Sequence, residues 1–302
     1  MSSCPLNCTL QTCPLECAQV EFLPSLGGNA TYAAILGILL IAQIGLGVFY
    51  RTWGFLIGMI CGLILEVIGY VGRIMLHNNP FDFNNFLIYL IPLTIGPAFL
   101  TGSIYLCLSR IVVIYGERIS KLSPRTFSIT FMACDFISLV LQGAGGGIAA
   151  TANDESGSNT GRNIMIAGLV AQVVSLGIFM GLWLHFLWQL KKTDQSLRNP
   201  AFVQLTKSRK FKYFNYALWL ATILITIRSI YRIAELQGGF NGTIANNEAA
   251  FMVLEGPMII LGVLALTVLH PGYALDRNWQ AARWSLRKGP KSTTESDNYD
   301  LK

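Results

Sequence analysis

A chain of 302 residues in which 53% are hydrophobic and only 13% charged, with a mean hydropathy of +0.50, cannot clothe a water-soluble globule. Its formal net charge of +6, from 22 Lys and Arg against 16 Asp and Glu, does not build a nucleic-acid surface, because the basic residues stand in short stretches between apolar runs. Composition therefore excludes a soluble globule and a nucleic-acid partner, and it predicts a chain that faces lipid.

The first segment, residues 1–30, carries Cys4, Cys8, Cys13 and Cys17 at the spacing C-x3-C-x4-C-x3-C. Outside the cell such an even set reads as two disulfides in any of three connectivities. No His or C-x2-C pair accompanies it, so neither a metal nor a cofactor is expected. Sequons at Asn7, Asn29 and Asn241 make these residues glycosylation candidates, Asn29 the poorest of them because it stands so close to the first span. No basic and apolar leader precedes Ala33, so the first span is expected to act as its own insertion signal.

A spanning helix needs about 20 mostly apolar residues. Seven such runs follow in order: Tyr32 to Tyr50, Trp53 to Leu76, Phe86 to Tyr115, Thr126 to Thr151, Asn163 to Leu190, Phe211 to Leu236 and Ala249 to His270. Hydrocarbon cannot satisfy an open strand edge, so the expected fold is an all-α bundle of seven transmembrane helices. Its membrane domain is placed at residues 31–275, with a disordered tail at 276–302. Arg51, the Arg118–Arg125 loop, the Lys191–Lys212 loop and the stretch after the seventh run hold most of the basic residues. The positive-inside rule then puts those four segments in the cytoplasm, the N-terminus outside and the C-terminus inside.

Function is sought among ionisable groups inside the spans, since each costs roughly 2.5 to 3.5 kcal/mol near the bilayer centre. In the second run Gly54, Gly58, Gly62, Glu66, Gly69 and Arg73 recur every three or four residues and so share one stripe. Asp135, Leu139, Gln142 and Gly146 form a similar stripe in the fourth, and Arg228, Arg232 and Glu235 one in the sixth. Gln172 and Glu255 add polar groups from the fifth and seventh. At about 1.5 Å per residue, Asp135 and Gln172 fall near the midplane, Glu66, Gln142, Arg228 and Glu255 in the outer half, and Arg73, Arg232 and Glu235 at the outer mouth. The stripes are expected to line one polar cavity. Pro92, Gly96-Pro97, Gly143 to Gly147 and Gly256-Pro257 are expected to interrupt the third, fourth and seventh helices, as transporters do at binding sites.

The same residues carry a resemblance. Pro24-Ser25 with Asn29, Glu66-x2-Gly69-Tyr70-x2-Arg73, Pro97 with Tyr105, Asp135-x3-Leu139-x2-Gln142, Gly168-x3-Gln172, Arg228-x2-Tyr231-Arg232-x2-Glu235 and Glu248 are spread over residues 22–275. With them the chain resembles the fungal lipid-translocating exporters, the aminocholesterol-resistance group that includes sphingoid long-chain-base exporters. Glu255 departs from the aspartate that this pattern suggests. The resemblance implies a multi-pass protein of the plasma membrane or an endomembrane that exports sphingoid bases or confers resistance to sterol-like and other lipophilic toxins. It adds Tyr70 and Tyr231 to the candidate translocation residues.

The expected partners are membrane lipids and amphiphilic small molecules, with homo-oligomers left open. No G-x4-G-K-[ST] loop is present, so ATP hydrolysis is not expected. The alternative reading is a seven-helix lipid receptor or sensor. An intramembrane zinc hydrolase is disfavoured because His77, His185 and His270 are far apart in the chain, and a retinal protein because the seventh run lacks lysine.

Overall fold

The computed structural model describes residues 12–15, 18, 20, 22–116, 123–152, 154–192, 199–238, 242 and 246–282. Among these every regular element is helical: α1 (Leu26–Phe49), α2 (Trp53–Asn78), α3 (Phe83–Tyr115), α4 (Pro124–Thr151), α5 (Glu155–Lys192), α6 (Val203–Lys207) behind a 3-10 turn (Pro200–Phe202), α7 (Arg209–Gln237), α8 (Glu248–Leu254), α9 (Gly256–Val268) and α10 (Pro271–Ala274). Helices α1 to α5, α7 and the joined pair α8 and α9 supply seven spans long and apolar enough to cross a membrane. The protein is thus a multi-pass, all-α membrane bundle.

Local chemistry sets the ends. The Ser25 hydroxyl accepts from the Gly28 N–H at 3.3 Å, Asp82 from Asn84 at 2.9 Å and Asn247 from Ala250 at 3.1 Å, each relieving an orphan donor of a first turn. The Ser25 cap starts α1 at Leu26, ahead of the Tyr32 that hydropathy marks, so Asn29 lies inside the helix. Helix α5 likewise starts at Glu155, eight residues before its apolar run, because a helix continues past the bilayer wherever its polar turns stay satisfied.

The glycine stripe of α2 faces α3. A Cβ on Gly72 would lie 2.6 Å from the Tyr89 backbone nitrogen, so only glycine lets the two backbones approach this closely. Helix α4 packs between α3 and α5, and on α5 a Cβ at Gly168 would lie 2.8 Å from the Ser138 carbonyl. Aromatic rings fill the space between α3, α5 and α7, with Tyr105 and Phe179 at 4.5 Å and Trp183 stacked on Trp219 at 4.5 Å.

Two expectations about breaks are corrected. Helix α3 runs unbroken through Pro92 and Pro97, and α4 through Gly143 to Gly147. Pro97 offers no N–H to the Leu93 carbonyl, but Arg228 of α7 does, at 2.5 Å, so the freed acceptor is satisfied and α3 continues. Only the seventh span breaks, at Glu255. Here the Met252 carbonyl, which Gly256 would cap in an unbroken helix, accepts instead from the Tyr32 hydroxyl at 2.7 Å.

The packed part of the chain also extends past 275, the expected end of the membrane domain. Trp279 is buried against Phe55, and the Arg110 guanidinium lies 3.7 Å from its ring centroid and donates to its carbonyl. Residues 283–302, where the disordered tail is expected, lie outside the described residues.

Candidate functional site

Three guanidinium groups and three carboxylates are buried together where α2, α3, α7 and the α8–α9 joint meet. Arg228 is the hub: one nitrogen, Nη2, lies 2.6 Å from Glu255 Oε1, 3.4 Å from Glu66 Oε1 and 2.5 Å from the Leu93 carbonyl. One turn along, Arg232 pairs with Glu235 at 2.6 Å, donates to Thr94 Oγ1 at 3.0 Å and approaches Glu255 at 3.9 Å. The i, i+4 and i, i+3 spacing seen in the sequence puts Arg228, Arg232 and Glu235 on one face of α7, as expected.

Arg73 extends the network toward α1. Its Nε donates to Asn29 Oδ1 at 3.2 Å, and its guanidinium lies 3.7 Å from the Phe251 ring centroid and 4.9 Å from that of Tyr89. Asn29 is fully buried and passes its own amide N–H to the Ser25 carbonyl at 2.6 Å. Asn29, already the poorest of the three glycosylation candidates, is no acceptor in this fold: both ends of its amide are engaged inside the bundle. Asn7 and Asn241 lie outside the described residues, as do Cys4, Cys8 and Cys17 of the cysteine set. The entry to α1 is pinned from two further sides, by His77 Nδ1 donating to the Pro24 carbonyl at 2.7 Å and by the Ser25 N–H donating to the Glu248 carboxylate.

The network is charge-balanced and packed. Glu66 and Glu255 are fully buried, and Arg73, Arg228 and Arg232 are each 1% exposed, so these groups fill their space rather than line an open cavity. Hydrogen bonding is nevertheless incomplete. Among the described residues neither Glu66 oxygen receives a hydrogen bond, and Glu255 Oε2, Arg73 Nη2 and the hydroxyls of Tyr70 and Tyr231 are also unpartnered. Buried polar groups left so are costly, because the low-dielectric interior offers them no water in exchange.

The structure does not bring the fourth helix's stripe here, which corrects the expectation of a single cavity. Asp135 accepts from Thr101 and Tyr105 of α3, at 2.9 and 3.0 Å, and Gln142 donates to Gln172 of α5 at 3.0 Å. Helical spacing told which face of α4 is polar, but not which neighbour it meets. Sequence reasoning passed over Thr94, Thr101 and the two engaged carbonyls, Leu93 and Met252. The signal was present in Pro97 and Gly256-Pro257, since each proline or break frees an acceptor that some donor must satisfy.

Fold and site together define a seven-span membrane protein whose helices are tied by an internal ion network across a broken seventh span. Residues 59–278 match the family model described as RTA1 like protein. The chain belongs to this family, which bears out the resemblance read from its motifs. It is similar to the sphingoid long-chain base transporter RSB1 of Saccharomyces cerevisiae (strain Lalvin EC1118 / Prise de mousse), 37% identical over 279 residues that span 83% of this chain and 73% of the relative. It is also similar to the Saccharomyces cerevisiae proteins RTM1, at 31% over 76% of this chain and 73% of the relative, and protoporphyrin uptake protein 1 (strain ATCC 204508 / S288c), at 32% over 68% and 65%. No solved structure matches.

Proposed function

We propose that this protein moves cationic amphiphiles of the sphingoid long-chain-base type across the membrane, without hydrolysing ATP itself. Kinship with a sphingoid long-chain base transporter over 83% of the chain supports a role in lipid or amphiphile transport rather than enzymatic catalysis. The observation that carries a translocator reading is the joint at Glu255. A break at membrane depth, in the residue that pairs with Arg228, couples any swing of α8 against α9 to the ion pairs that hold α2, α3 and α7.

Glu66, Glu255, Glu235 and the three arginines then act as the element that changes partners during transport, with Tyr70 and Tyr231 as spare hydroxyls beside it. Gln142 and Gln172 fix α4 on α5. Plasma-membrane residence, the outside N-terminus, paired cysteines and sequon use at Asn7 and Asn241 belong to the same proposal and rest on the sequence. So does a role in resistance to lipophilic toxins.

Cells expressing the protein are expected to release preloaded labelled sphinganine to albumin in the medium faster than matched cells without it. Equal release with the protein confirmed at the cell surface contradicts the proposal. Saturable binding with no release favours a receptor.

A further inference from the structure

Asp135 differs from every other buried carboxylate described. It is 3% exposed, and no cation pairs with it among the described residues. Its Oδ2 takes both hydroxyl hydrogen bonds from α3, the Ser175 hydroxyl of α5 stands beside it, and its Oδ1 receives no hydrogen bond. The three glutamates, by contrast, already face guanidinium groups. A carboxylate at membrane depth with only neutral neighbours lacks the countercharge that makes such a group tolerable.

Asp135 also lines a groove. A space of about 350 Å³ opens between α2, α3 and α4, walled by Ile57, Phe99, Gly102, Met132, Phe136 and Leu139. Ile57, Phe136 and Met132 are 62%, 66% and 41% exposed, so the groove faces the surface that the bundle turns to lipid. Its walls are almost wholly apolar, with the one carboxylate at the inner side. That is the profile of a single hydrocarbon chain ending in a cation.

We propose that this groove is the recognition site for the cargo: the primary ammonium of a long-chain amine pairs with Asp135 Oδ1, while its chain lies against Ile57, Phe99 and Phe136 and runs on into the bilayer. The inference rests on the reading that cationic amphiphiles are transported, and it assigns recognition to α4 and conformational change to the Glu66–Arg228–Glu255 network. Oδ1 is sealed from solvent, so the exposed wall side chains part as the head group enters. Thr101 and Tyr105 hold the other oxygen and thereby fix the carboxylate's orientation toward the ligand. A neutral amide in place of the amine keeps the chain contacts and loses the charge-assisted hydrogen bond.

The test uses the full chain in phosphatidylcholine nanodiscs and compares binding of tritiated sphinganine with that of N-acetylsphinganine. The wild type is expected to favour sphinganine by about ten-fold or more, the factor that one charge-assisted hydrogen bond supplies. Asp135→Asn is expected to abolish that preference while N-acetylsphinganine still binds, and Asp135→Glu to retain part of it. Gly102→Leu, at a position where a Cβ meets nothing within 4 Å, fills the groove without touching a charge and is expected to weaken both ligands. Where Asp135→Asn does not fold, Gly102→Leu decides alone.

An unchanged preference in Asp135→Asn, or unchanged binding in Gly102→Leu, overturns the assignment. Movement of sphinganine across liposomes that survives both variants sinks this site and leaves the transport reading standing. Binding at Asp135 with no movement by the wild type does the reverse.

Discussion

Arg228 shows how one side chain serves both backbone and charge. Its Nη2 satisfies a carbonyl that Pro97 leaves free and neutralises Glu255 and Glu66, so removing it uncovers three acceptors at once. Arg228→Met is expected to destabilise the protein by about 3 to 5 kcal/mol, the usual cost of breaking a buried pair. Glu66→Gln, whose longer 3.4 Å contact is only one of the three, is expected to cost less. Pro97→Ala gives the Leu93 carbonyl an N–H from its own helix. In the Arg228→Met background it is expected to restore roughly 0.5 to 1.5 kcal/mol. Thermal unfolding of the purified variants in detergent measures all of these, and an additive double mutant contradicts the coupling.

At this scale the sequence was informative about which residues are buried and ionised, because insertion costs leave few reasons for an arginine inside a span. It was silent on partners. Asp135 and Glu66 look alike as acids on glycine-bearing stripes, yet one meets hydroxyls and the other a guanidinium, since the choice depends on which helix lies opposite.

Among the elements, α2 and α3 demonstrate what a spacing of three and four residues encodes. Gly58, Gly62 and Gly69 of the sequence stripe place small residues where α3 approaches. Gly72, which the stripe does not include, joins them one turn on, and Glu66 on the same line is carried into the interface with them. Gly72→Ala, which drives a methyl into the Tyr89 backbone, is expected to cost about 1 to 3 kcal/mol by overpacking. Gly177→Ala, with nothing within 4 Å, is expected to be neutral or to stabilise by roughly 0.5 to 1 kcal/mol through helix propensity. The same melting series checks both, and equal effects contradict the close-approach account.

Proline was the less dependable guide. Breaks are expected in three helices, at four sites, but only the seventh span has one, at Glu255 beside Gly256-Pro257. In α3 the Leu93 carbonyl that Pro97 frees takes a donor from α7, far along the chain, and the helix runs on. Hydropathy likewise located all seven spans but placed the starts of α1 and α5 too late, because caps and polar first turns lie beyond the apolar window.

For the molecule as a whole, a balanced network between α2, α3, α7 and the seventh span works as a clasp across the bundle, while α4 and α5 form a flank with its own polar pairs. The proposed tasks divide accordingly: exchange of ion pairs in the clasp, and reception of an amphiphile in the groove where α4 meets α2 and α3. The proposed orientation is checked by impermeant labelling of an N-terminal tag on intact cells, where modification is expected at the N-terminus and not at a C-terminal tag. The reverse pattern inverts the direction in which the cargo meets the groove.

The central claim is that this chain by itself carries long-chain bases across a bilayer and needs the Glu255 joint to do so. Its most direct measurement is the transbilayer movement of a fluorescent long-chain base in liposomes that contain only the purified protein. The wild type is expected to accelerate movement well above protein-free liposomes, and Glu255→Gln, folded but with Arg228 unbalanced, to fall back toward that baseline. A wild-type rate equal to that of protein-free liposomes contradicts the claim.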